Sequence, residues 1–217
     1  HNFRFSLLSV RGEGIEKKPA DFIFECQTFP EIEVRERHFS LDMQDLEILN
    51  PNTKTCSIFR TESDAELTKK IYRSVPVIEN ENTRENPWKI SFMAMFHMSN
   101  DSNLFEEKPR DGLVQLYEAK MFSLYDHRCG SYSDESEERA HILPETPLVN
   151  YQDPSFIIKT FYYVPKAEVE NRVREKWKYN WLLAFRSVCR STDERTAIFS
   201  ILPKVGLGNS APVMITG

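Results

Sequence analysis

The apolar residues of this chain arrive in short runs, each closed by Pro, Gly or a cluster of Asn, Asp and Ser. The period also changes from run to run. No run approaches the roughly 18 apolar residues that a membrane-spanning helix needs. A regular βαβ alternation and a continuous helical period are both absent, so the pattern predicts an α+β chain of short strands and helices in two subdomains. With 40% hydrophobic residues and 15 Phe among 217, the composition supports a packed core rather than disorder.

Along the chain, Phe3, Phe5, Leu7 and Ser9 alternate as a strand would, up to Gly12-Glu-Gly14, and residues 20–26 read as a second strand. Ser40 is placed to cap a helix over 41–49, which Asn50-Pro51 ends. Ser63 and Glu66 have the spacing of a capping box, opening a helix to about Arg73 that would bury Leu67 and Ile71. Residues 79–87 read as a polar turn, 90–98 as an apolar run, 99–112 as a loop and 114–125 as strand-like. The segment 130–150 is a long polar excursion. Beyond it come a strand over 155–163, a helix over 166–176, and strands over 181–188 and 197–202.

Two Asn-Pro pairs invite comparison with the Asn-Pro-Pro-aromatic loop of amino-methylating DNA methyltransferases. In that loop an aromatic ring stacks on the flipped base. Asn50-Pro51 is followed by Asn52 and Thr53, and Asn86-Pro87-Trp88 lacks the second Pro. Neither pair carries the chemistry. The glycine pairs Gly12/Gly14 and Gly206/Gly208 have no third glycine at the offset a nucleotide loop requires, so no ATP or S-adenosylmethionine site is visible.

Three catalytic patterns compete. Asp111, Glu118 and Lys120 resemble a metal-nuclease arrangement, with two carboxylates on magnesium and Glu118 and Lys120 on one strand face. His97, Asp126, His127, Cys129 and His141 supply metal-ligand chemistry without helical or Cys-x-x-Cys spacing. Cys56 and Cys129 could be nucleophiles, but no base is specified. The expectation is therefore no catalytic residue and no metal in this chain. The wide spacing of Cys26, Cys56, Cys129 and Cys189 fits reduced thiols and a cytoplasmic setting. His1 in place of Met suggests a piece of something longer.

Charge is unevenly placed. The net value is −5, yet residues 156–217 hold ten Lys/Arg against five acids, so the rest carries −10. A cationic segment of this kind suits a polyanion such as DNA, although a solvated helix face would have the same composition. Lys120, His127, Arg128, Arg186, Arg190 and Arg195 are interleaved with Tyr117, Phe122, Tyr125, Trp181 and Phe185. Arg can grip phosphate or a guanine edge.

The stretches LNPNTKTCSIFRTESDAELTKKIY, NPWKISFMAMFHMSNDSNLF, LYEAKMFSLYDHR and WLLAFRSVCRSTDERTAIFSILPKVGLGN together resemble one family. It is that of the large adenine-specific DNA methyltransferases of type IIG-like restriction–modification and related phage-defence systems in bacteria. The likeness runs from about residue 3 to 213, with Ser57 and Ala119 standing where Pro and Gly are expected. It implies a segment that follows the methylase domain: a connector over 1–112 and the first part of a target-recognition domain over 113–217. Asn50–Tyr72 would pack near the catalytic domain. Lys120, His127, Arg128, Arg186, Arg190, Arg195 and Thr196 fall in the recognition part. The resemblance also implies double-stranded DNA and the chain's own methylase domain as partners, no membrane, and S-adenosylmethionine bound in the parent protein rather than here. The alternatives are the nuclease above and a protein-interaction module docking through the acidic part.

Overall fold

The structure, a computed structural model, describes residues 6–10, 12, 18–133, 138–190 and 193–217. The fold is α+β, with four α-helices and nine strands in three small sheets among the described residues. The chain divides into two compact units, His1–Trp88 and Lys89–Gly217. The sequence division at 112/113 therefore falls inside the second unit, just before one of its strands.

In the first unit, β1 (Ala20–Phe22) pairs antiparallel with β2 (Phe39–Leu41), setting Phe22 opposite Phe39. Phe22 and Phe24 stack against Phe39 at 5.7 and 5.9 Å, and Phe59 meets it edge-on at 5.2 Å. Of the expected first strand, Phe3 and Phe5 lie outside the described residues, and Leu7 and Ser9 are in no strand.

Helix α1 (Met43–Leu49) is capped by Asp42, two residues later than expected, because Ser40 is used in β2. Asp42 accepts from the Asp45 amide at 2.8 Å while the Asp45 carboxylate accepts from the Asp42 amide at 3.4 Å, a reciprocal cap. Asn50 closes the helix, its side-chain amide donating to the Thr55 carbonyl at 2.8 Å and to Ser57 Oγ at 3.2 Å. Helix α2 (Glu62–Ser74) starts from Thr61, whose hydroxyl accepts from the Asp64 amide at 3.1 Å; Ser63 is already inside the helix.

The face α2 buries is not the expected one. Ala65 and Lys69 turn inward, while Leu67 is 60% and Ile71 49% exposed. The reason is ionic. Buried Asp45 takes the Lys69 ammonium at 3.5 Å and the Arg73 guanidinium at 2.9 Å, and this pairing along one i, i+4 stripe fixes the helix rotation.

The second unit contains two sheets. β3 (Ile90–Met93), β6 (Trp181–Phe185), β7 (Phe199–Pro203) and β9 (Val213–Thr216) form an antiparallel sheet in the order β3-β9-β6-β7. β4 (Leu113–Tyr117) lies between β5 (Tyr163–Pro165), antiparallel, and β8 (Gly206–Leu207), parallel. Helices α3 (Leu148–Gln152) and α4 (Lys166–Val173) complete it. Arg172 anchors α4: its guanidinium lies 4.2 Å over the Phe96 ring and donates to Asp101 at 2.8 Å.

A large apolar cluster fills this unit, with Phe96, Phe122, Val164, Leu182 and Leu207 fully buried. Gly206 allows β8 to approach, since a Cβ there would lie 2.5 Å from Val164 Cγ2. The expected strand over 155–163 is irregular as far as Tyr162, and regular pairing starts at Tyr163. β4 is shorter than its strand-like stretch and stops at Tyr117.

Candidate nucleic-acid interface

Past Tyr117 the chain leaves the sheet through a 3-10 turn, Ala119–Met121, so Glu118 and Lys120 do not share a strand face. They are nevertheless neighbours. The Lys120 ammonium is 3.3 Å from Glu118 Oε2, donates to the Ala140 carbonyl, and lies 5.3 Å from the Tyr132 ring centre. Burial pulls its pKa below the ordinary lysine value, against the opposing pull of Glu118. Glu118 is 4% exposed; its Oε2 also accepts from Arg139 Nε at 3.0 Å, while its Oε1 is buried without a hydrogen-bond partner among the described residues. Burial, with Glu118 second, pushes the nearby Tyr132 hydroxyl up to about 12.

His127 and Arg128 follow a tight turn in which the Ser123 and Asp126 backbones pair and Tyr125 has φ 60°. His127 is half-buried, and burial followed by the Arg128 charge holds its pKa below the ordinary imidazole value. The Arg128 guanidinium donates to the carbonyls of Asp153 at 3.3 Å and Tyr151 at 3.4 Å, and packs over the Tyr151 ring. Asp126 accepts from the Arg128 amide at 2.8 Å and the Tyr151 hydroxyl at 2.6 Å. Arg186, at the end of β6, donates through Nε to the Phe122 carbonyl at 2.9 Å and through Nη2 to the same oxygen. Four of the seven candidate side chains thus gather around residues 118–132, three of them with polar groups committed to the protein's own oxygens.

The other three are outside. Arg190, Arg195 and Thr196 are exposed on the connection from β6 to β7. Arg195 is 3.6 Å from the exposed Glu194, and the Arg190 guanidinium has no carboxylate partner among the described residues. The connection is braced by two bonds between side chain and backbone, the Arg190 amide donating to Asp193 Oδ2 at 3.1 Å and the Cys189 thiol to the Thr196 carbonyl at 2.8 Å.

The nuclease arrangement has no geometry to support it. Asp111 is exposed in the turn before β4 and Glu118 is buried after it. At ~3.4 Å per residue that strand alone separates the two carboxylates by well over the reach of one metal ion. Among the described residues no three His, Cys, Asp or Glu converge as metal ligands. All four cysteines are free thiols, and burial raises the pKa of Cys129 and of Cys56. No helix among the described residues is long and apolar enough to cross a membrane.

Two features escaped the sequence reading. Arg139, the main partner of Glu118, comes from the polar excursion 21 residues away, and no local pattern announces it. It also lines an open cleft of about 650 Å³ with Met98, Phe105, Lys108 and Tyr162. The second is the Lys-Trp-Lys-Tyr-Asn-Trp run at 176–181, whose alternation of cation and ring is legible in the sequence. Comparison with family models, curated proteins and solved structures finds no match to this chain.

Proposed function

We propose that this chain positions double-stranded DNA for adenine-N6 methylation performed by a methylase domain outside it, with S-adenosylmethionine bound by that domain. The motif resemblance motivates the reading. The observation that carries it is the exposed connection with Arg190, Arg195 and Thr196, held at the end of a regular antiparallel hairpin. Recognition groups are commonly carried on loops that a rigid scaffold positions, and cations in that position can meet phosphates or base edges. Lys120, Arg128 and Arg186 then shape the supporting loop instead of touching DNA. Alone, the chain binds duplex weakly and transfers no methyl group.

The test is fluorescence anisotropy with a duplex across a salt series. Arg190→Ala with Arg195→Ala should weaken binding and flatten the slope of log K against log salt by about 2, at ~0.9 for each phosphate no longer neutralised. An unchanged slope, or methyl transfer by the chain itself, contradicts the proposal.

A further inference from the structure

The register of the four-stranded sheet divides its side chains between two faces. Leu182, Ala184, Leu202, Val213 and Ile215 point into the core. The alternate positions, with Trp181 opposite Pro203, Leu183 opposite Ile201, Phe185 opposite Phe199 and Phe92 opposite Met214, share the other face. Ring contacts confirm that three strands contribute to it: Phe92 meets Phe185 at 5.2 Å and Phe185 meets Phe199 at 5.3 Å. Much of this face is exposed. Ile201 is 59%, Phe92 49% and Trp181 36% exposed, and Tyr179, 43% exposed, stacks on Trp181 at 5.1 Å and 20°.

One end of the face is cationic. Lys204 follows Pro203, the partner of Trp181; Lys89 precedes Ile90, the partner of Thr216; Lys178 lies 5.5 Å from the Tyr179 ring centre. Lys176 is exposed in the same α4–β6 turn, whose acid is Glu175. None of these four lysines has a carboxylate partner among the described residues.

We infer that this face is a stacking platform for single-stranded nucleic acid, its rings taking unpaired bases and its lysine-bearing end the backbone. Exposed aromatics on an antiparallel sheet, beside lysines with no carboxylate partner among the described residues, match the two halves of a nucleotide, an apolar ring and an anion. A duplex cannot use the rings, since its base faces are already stacked. The platform employs none of Arg190, Arg195 and Thr196, so it stands or falls separately from duplex positioning.

The full chain is titrated with an oligothymidylate and, separately, with a duplex of equal length, following tryptophan fluorescence and anisotropy. The oligothymidylate should quench tryptophan emission. Tyr179→Ala and Phe92→Ala should each weaken it roughly 5- to 100-fold, the effect of losing one base stack. Both residues are exposed, and an unchanged circular dichroism spectrum verifies folding. Lys178→Ala with Lys204→Ala should lower the salt slope of oligothymidylate binding by ~1 to 2. Arg190→Ala with Arg195→Ala should leave oligothymidylate binding unchanged. No quenching, or affinity indifferent to Tyr179→Ala and Phe92→Ala, overturns the platform even if duplex still binds. Quenching without duplex binding upholds it and removes the duplex proposal instead. Concentration-dependent self-association abolished by Ile201→Asp would reassign the face to a protein contact and overturn the inference.

Discussion

In the first unit the buried apolar cluster is Phe39, Leu41, Leu49, Phe59 and Ala65, and a charged triad of Asp45, Lys69 and Arg73 closes α1 on α2. In the second, a far larger cluster runs under both sheets, and ion pairs such as Arg172–Asp101 and Arg139–Glu118 pin segments that the apolar core already holds. Burial alone would drag the Lys69 ammonium down; Glu66 and Asp45 together outweigh it and leave its pKa above the ordinary value. A small core can therefore be supplemented by a buried ion pair, but only where both charges are matched, since an unpaired buried charge costs more than the pair contributes. The contrast is between a unit whose packing depends on electrostatics and one whose electrostatics decorate its packing.

The largest effect should come from the second unit's core. Phe122→Ala removes a fully buried ring and should cost about 3–5 kcal/mol in urea denaturation, with hydrogen exchange accelerated in peptides of 89–217. If the loss is under about 1 kcal/mol, the cluster is not what holds this unit. Asp45→Ala should cost about 1–3 kcal/mol and accelerate exchange in α1 and α2, because it removes the reciprocal cap of α1 and leaves Glu66 as the one carboxylate, among the described residues, beside a Lys69 side chain that is 8% exposed. Should Asp45→Ala prove neutral, the electrostatic half of the comparison collapses.

The smallest effect is also the most discriminating, because its sign differs between units. His38 bridges Asp21 at 2.9 Å and the Ile32 carbonyl at 2.7 Å, and these contacts, the carbonyl first, raise its pKa. Its contribution is complete below the unfolded value of about 6.5 and is lost as pH rises through the folded value. His127 is the reverse: burial lowers its pKa, so its contribution is complete above about 6.5 and is lost as pH falls through the folded value. Denaturation midpoints across this range should respond oppositely to His38→Gln and His127→Gln. The same sign for both would show that one of the two imidazoles is misjudged.

Local signals located elements better than they located caps. Asn50-Pro51 ends α1, and the apolar runs at 181 and 199 become paired strands, because breakers and alternation act within a few residues; the caps fall two residues from the expected ones, on Asp42 instead of Ser40 and on Thr61 instead of Ser63. Distant partners were not legible. Leu67 and Ile71 read as core until Asp45, from another helix, drew Lys69 inward. β8 and β9 were missed: β8 is two residues long and paired in parallel to a strand some 90 positions earlier, and β9 is four residues long. At the candidate interface, residue type picked out Lys120, Arg128 and Arg186, which the structure brings near one another. It could not say that carbonyls of Ala140, Tyr151, Asp153 and Phe122 would claim their hydrogens.

The place of β9 has a further consequence. Formed from the last residues of the second unit, it lies between β3, made first, and β6. On a ribosome, then, the opening strand must wait from Met93 until Val213–Thr216 is made before its neighbour in the sheet emerges. During that interval Ile90–Met93 is an unclaimed edge, open to wrong pairing and to any chaperone that binds extended apolar chain.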